Sequence, residues 1–136
     1  MLNKIGSFRA KKQLLFYLLG VGIIFTFFIF LLSVNFIGFS AKEKCKIAQD
    51  KHKGDCVESL IQYLADEDNG FYSRNSAIWA LGQFGDERAL PILEYYFTGD
   101  IPDREPLDES ISQYELKKAI GYMDGKVNVT TFFWKF

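Results

Sequence analysis

Cys45, His52 and Cys56 are the side chains best suited to chemistry, and their spacing, C-x6-H-x3-C, allows two kinds. Thiolates and an imidazole bind zinc, but a structural zinc site takes four ligands and no fourth completes this pattern. Two cysteines on either side of a glycine turn at Gly54 suit a disulfide formed in an oxidising compartment. That pairing is the expectation, with free thiols as the alternative. Beyond these residues the catalytic templates fail one by one. His52 is the one histidine, neither cysteine has a clear activating partner, and no glycine-rich phosphate loop occurs. The reading is of a chain with no catalytic residue, no cofactor-binding set and no metal centre.

Two other features bear on chemistry. Asp100, Asp103, Glu105, Asp108 and Glu109 crowd one loop without the fixed spacing of a calcium loop. They read as a solvated acidic loop, or as a surface selective for a basic partner. Asn128-Val129-Thr130 matches the N-glycosylation acceptor pattern, which matters only in a eukaryotic lumen.

The elements that position these residues begin with a greasy run. Residues 14–39 carry no charged side chain. As a helix, 26 residues reach roughly 39 Å at ~1.5 Å each, longer than the ~30 Å hydrocarbon core of a bilayer. A signal-peptide core is shorter, and a soluble helix apolar on all sides needs a larger surrounding core than this chain supplies. The organisation expected is a basic tail (1–12), a transmembrane helix (13–39), a charged juxtamembrane segment (40–54), a helical domain (55–125) and an aromatic tail (126–136). Residues 1–41 carry a net charge of +4 and the remainder −5, so the main domain has no basic face for nucleic acid. The basic amino-terminal tail favours a cytoplasmic amino terminus and an extracytoplasmic (periplasmic or luminal) domain. Lys42, Lys44, Lys46, Lys51 and Lys53 on the second flank pull the other way. They read otherwise as a solvated face or as contacts to lipid phosphates.

Within the domain the apolar spacing predicts four helices. Val57, Leu60, Ile61 and Leu64 make one stripe, capped by Asp55 with Glu58. Ala77, Ala80, Leu81 and Phe84 make the second, over Ser73–Phe84 and stopped by Gly85. Asp86 caps the third, Glu87–Thr98, whose inward face is Ala89, Leu90, Ile92, Leu93, Tyr96 and Phe97. Pro91 must lie near its start or bend it. Ser112 and Glu115 form a capping-box pattern ahead of the fourth stripe, Leu116, Ala119, Ile120 and Met123. The tail VNVTTFFWKF is β-branched and aromatic and reads as extended.

These helices form an internal duplication. ALGQFGD (80–86) aligns with AIGYMDG (119–125), 39 residues on, and LIQYL (60–64) with ILEYY (92–96), 32 residues on. The difference of seven is the extra length of the acidic loop. Arg74, Ala77, Ala80, Leu81, Gly82, Gly85, Asp86, Ala89, Leu90 and Leu93 resemble a HEAT repeat, of the short kind found in phycobilin-lyase-type HEAT-like proteins. The resemblance covers about residues 55–125 and is strongest over 73–97. It implies an all-α fold in which two helix pairs stack as a short α-solenoid, a protein-binding role, and in a few relatives the handling of tetrapyrrole-bearing proteins. It also implies structural roles for Gly85 and Asp86, and for Arg74 an ion pair with Asp68 or Asp86. The second copy lacks the arginine. Two repeats fall short of the three or so that usually make a stable stack, so the juxtamembrane segment and the tail are expected as end caps.

Trp79 lies about 200° round its helix from Ala77, off the stripe. It is either buried against a neighbouring element or part of a binding groove. Trp79, Gln83 and Tyr95, with Asp103, Glu105 and Asp108, form the candidate interaction surface. The expected function is a membrane-tethered protein-interaction module, held in the bilayer by residues 13–39 and binding an unknown protein, basic in character. A tetrapyrrole lyase or chaperone and a small structural subunit of a membrane complex are the alternatives.

Overall fold

The computed structural model describes the backbone of residues 2–134 and the side chains of residues 11–134. Met1, the side chains of Lys4 and Arg9 in the basic tail, and Lys135-Phe136 lie outside the described residues. The chain divides into two units, residues 1–35 and 36–136. All described secondary structure is helical: α1 (Leu2–Lys51), α2 (Cys56–Ala65), α3 (Phe71–Phe84), a single 3-10 turn (Glu87–Ala89), α4 (Leu90–Tyr96), α5 (Gln113–Met123) and α6 (Val129–Trp134).

In the first unit every large apolar side chain from Leu14 to Phe30 is exposed, and the apolar window of the helix has none of its residues buried. Three of its polar side chains are satisfied without water. Thr26 Oγ1 donates to the Gly22 carbonyl and Ser33 Oγ to that of Ile29, each at 2.9 Å, and Asn35 Nδ2 donates to the Leu31 carbonyl at 2.8 Å. Such back-bonding is how hydroxyl and amide side chains are accommodated in an apolar helix. This helix is long and apolar enough to cross a membrane.

In the second unit α1 changes character. Gly38, Ala41, Cys45 and Ala48 are buried at helical spacing while Lys42, Lys46 and Asp50 stay in solvent. The lysine-rich segment is thus a packed wall of the domain, built from small side chains that let neighbours approach. It stops at Lys51, before the turn through Gly54 (φ 141).

The core is Leu60, Leu64, Ile78, Leu81, Leu93 and Leu116, all fully buried, with Cys45 and Ala48 joined to it. The predicted stripes supply most of it. Ile78 is the addition: it lies beside the expected stripe, and its total burial shows that α3 is covered on more than one face. α3 packs on both α2 and α5, and α4 on α5. Gly82 makes the α3–α5 approach possible, because a Cβ there would lie 2.9 Å from Ala119 Cβ and 3.0 Å from its Cα.

Local signals explain the boundaries. Asp55 accepts from the Glu58 amide at 2.9 Å and the Glu58 carboxylate accepts from the Asp55 amide at 3.2 Å, a complete capping box. Gly85 closes α3 in the left-handed conformation (φ 58). Pro91 falls in the first turn of α4, where its missing N–H costs nothing, because a 3-10 turn takes up Glu87–Ala89.

The tail corrects the expectation of an extended aromatic segment: Val129–Trp134 is a short helix. Its β-branched composition is overridden by tertiary contacts. Trp134 is 7% exposed and seated on Gly38, and Thr131 Oγ1 donates to the Gln83 carbonyl at 3.1 Å.

Candidate interaction surface

Two adjoining cavities of about 170 and 210 Å³ run along one side of α3, sharing Lys44, Tyr72 and Ser76. The first adds Ile47, Leu60 and Tyr63; the second adds Trp79, Asn75, Leu107 and Glu115. Trp79 is half-buried against the core and offers its remaining surface to the second cavity. Tyr72, about two turns from it on the open side, is 66% exposed. The groove is therefore aromatic, with one ammonium and one carboxylate at its edges.

The acidic loop forms the far wall of this groove, and Asn75 holds it there. Asn75, 5% exposed, donates from Nδ2 to the carbonyls of Leu107 (2.9 Å) and Ser110 (2.8 Å), and its Oδ1 accepts from the Ser112 amide (2.8 Å). One buried amide satisfies three backbone groups of a loop that has little secondary structure of its own.

Of the predicted site residues, the structure keeps some on the surface and withdraws others. Tyr95 is 78% exposed on α4, edge-on to Tyr96 with ring centroids 5.1 Å apart. Asp103 and Asp108 are exposed in the loop. Gln83 is not part of a surface: it is 8% exposed, and its Oε1 accepts from Asn128 Nδ2 (3.2 Å) and Thr130 Oγ1 (3.3 Å). The reason is the folded tail, which covers that side of α3. Glu105 is also committed internally. Its carboxylate accepts the Ser112 hydroxyl and the amides of Gln113 (2.7 Å) and Tyr114 (3.1 Å), so it neutralises the first turn of α5. Ser112 accepts from the Glu115 amide at 3.1 Å, but the Glu115 carboxylate turns to Lys118 Nζ at 3.1 Å. Half of the expected capping box is thus replaced by Asn75, whose Oδ1 takes the Ser112 amide.

Arg74 corrects another expectation. Neither Asp68 nor Asp86 takes it. It is 6% exposed, donates from Nε to the Leu64 carbonyl at 2.8 Å, and lies over the Tyr96 ring at 5.2 Å. Asp86 pairs with Arg88, which also reaches Asp55 at 2.6 Å and Glu58 at 3.6 Å. The Glu58 amide, and then Arg88, hold the Asp55 carboxyl below its ordinary value, and Asp86 and Asp55 raise the Arg88 guanidinium. Residues that a stripe search misses, Asn75, Tyr72 and Arg88, each had one signal: a polar or aromatic side chain beside, not on, the apolar face.

The sulfur atoms of Cys45 and Cys56 lie at 2.21 Å with Cα atoms 5.2 Å apart. His52 between them turns elsewhere, with Nε2 3.5 Å from Asp66 Oδ2 and its ring edge-on to Tyr63 at 6.0 Å. Among the described residues no three potential ligands converge on a metal-sized point.

This geometry is the setting for a likeness to known proteins. The family model described as PBS lyase HEAT-like repeat matches residues 73–94, from the third residue of α3 through the Gly85-Asp86 turn into α4. Over these residues the chain is similar to a HEAT-like repeat, and the match contains Arg74, Gly85 and Asp86. No curated protein and no solved structure matches the chain.

Proposed function

We propose that the protein is a membrane-tethered interaction module in which a single transmembrane helix (13–39) holds a short HEAT-like α-solenoid against the bilayer. The observation that carries this reading is the groove of Tyr72, Trp79 and Leu107 along α3. Each of its cavities is smaller than the ~300–1,000 Å³ typical of small-molecule pockets, and shallow aromatic relief suits side chains of a protein partner. Asp103 and Asp108 beside it favour a basic partner. Anchoring in the bilayer raises the domain's concentration next to membrane partners. Exposure of every apolar side chain from Leu14 to Phe30 supports the span, since water disfavours such a surface and lipid does not. A Cys45–Cys56 pair across the Gly54 turn suits an oxidising compartment and so favours an extracytoplasmic domain.

The test is photocrosslinking of the full chain in its native membranes, with a photoreactive residue at Tyr72 or, as a comparison, at Lys117 on the exposed side of α5. A discrete higher-mass adduct from Tyr72 and not from Lys117 is expected. Monomer alone from Tyr72 would count against the groove as a binding site. A small structural subunit of a membrane complex would instead give adducts from both positions. Membrane-impermeant thiol labelling with and without reductant then reads the compartment: Cys45 and Cys56 should label only after reduction, from outside.

The matched family's description raises a second reading, a lyase-like module acting on a bilin-bearing protein. Adding a bilin to the detergent-solubilised chain would shift its absorbance under that reading and leave it unchanged under the first.

A further inference from the structure

We infer that α6 is a second, interfacial contact with the lipid surface, laid beside the point where α1 leaves the bilayer. The argument begins with an inversion. The segment 128–134 turns its polar side chains into the protein: Asn128 and Thr130 to the Gln83 amide oxygen, and Thr131 to the Gln83 carbonyl. Three of its four apolar side chains face outward, with Val129 57%, Phe132 69% and Phe133 48% exposed, while Trp134 is turned in. A helix stabilised against water would show the opposite arrangement. A helix that meets lipid on its outer face shows this one.

Its position says which apolar medium it meets. Trp134 Cγ, Cβ and Cδ2 lie 2.6–2.9 Å from where a Cβ of Gly38 would be, and Trp134 stands edge-on to Phe84 at 5.6 Å. Gly38 is the penultimate residue of the charge-free run, and its neighbours Phe36 and Phe39 are 70% and 68% exposed. Lys42 and Lys46 follow within two turns, on the solvent side. Exposed phenylalanine rings at the end of an apolar span, with ammonium groups just beyond, match the boundary where the apolar face of an interfacial helix sinks to the acyl edge and Lys meets lipid phosphate. Gly38 is therefore the seat that brings the chain's carboxyl end to the level at which α1 emerges.

This inference rests on α1 crossing the membrane, and the experiment separates the two. The full chain carrying Trp79→Phe is reconstituted in phosphatidylcholine vesicles with brominated acyl chains. Fluorescence quenching is measured as the increment given by Phe25→Trp, Phe132→Trp or Tyr95→Trp over that background. All three positions are exposed, so tryptophan fits each without disturbing the core. Strong quenching at Phe25→Trp and Phe132→Trp, several-fold above Tyr95→Trp, is expected. Quenching at Phe25→Trp alone overturns the interfacial role of α6 while the span stands, and leaves a protein as what its outer face meets. Quenching at neither overturns both. Equal quenching at Tyr95→Trp would mean that the whole domain lies on the lipid, which also overturns a local contact.

Discussion

The two copies of the helix pair solve the same problem with different side chains. In the first, Arg74 near the start of α3 reaches back to the carbonyl of Leu64 at the end of α2. In the second, the residue 39 positions on is Gln113, and its Nε2 reaches the carbonyl of Tyr96, 32 positions after Leu64, at 3.1 Å. Both offsets are those of the sequence alignment. The second copy has therefore kept the contact while losing the arginine, because a terminal amide can serve the same orphan carbonyl at a helix end. What differs is cover. Ile78 is fully buried and its counterpart Lys117 exposed; Gly82 meets the backbone of Ala119, whereas the atoms nearest Gly121 are those of the Lys126 side chain. The first pair lies inside the domain and the second at its edge. The two pairs differ where their surroundings differ, and agree where a backbone group needs a partner.

Three sets of variants can break or sharpen this comparison, each read by unfolding of the full chain in detergent. Arg74→Ala should have the largest effect, about 3 kcal/mol, from a buried charged donor lost together with its ring contacts. Gln113→Ala should cost about 1 kcal/mol. Arg74→Gln should recover part of the loss, and no recovery at all would mean that the two contacts are not equivalent. Next, Gly82→Ala should destabilise by about 2 kcal/mol, since the clash is with backbone. Gly121→Ala should stay within about 0.5 kcal/mol of the parent or gain slightly, because a lysine can swing aside and alanine is the better helix former. Equal effects would undo the distinction between inside and edge.

The smallest effect concerns the exposed ion cluster that joins the start of the first copy to the start of the second through Arg88. The Asp55 carboxyl is held below its ordinary value by the Glu58 amide and Arg88. Its contribution is thus complete above the ordinary carboxylate range and is lost as the pH falls through the lowered value. Asp55→Asn should lower the midpoint at neutral pH, and the gap should close in strong acid. A gap that persists there would assign the effect to something other than charge.

Much of this was legible beforehand because it is local. Asp55 with Glu58, Gly85, and the stripes through Leu60, Leu81, Leu93 and Leu116 depend on residues within a turn or two of each other. The candidate surface was less legible. Trp79 and Tyr95 could be placed on their helices by angle, but Gln83 was lost to the tail and Glu105 to the start of α5. Asn75, which holds the loop, carries no signal of its partners 32 to 37 residues away.

By itself the sequence determined one long apolar run with helices after it, where most of those helices start and stop, and the likeness of ALGQFGD to AIGYMDG. Capping, periodicity and the energetics of apolar helices act over short distances, so they can be read in order along the chain. Only the tertiary structure decided which polar residues face inward, that the lysine-rich end of α1 is a wall of the domain, and that a β-branched tail becomes a helix seated on Gly38. Those outcomes depend on which backbone groups and apolar faces meet from distant parts of the chain, and burial there outweighs local preference.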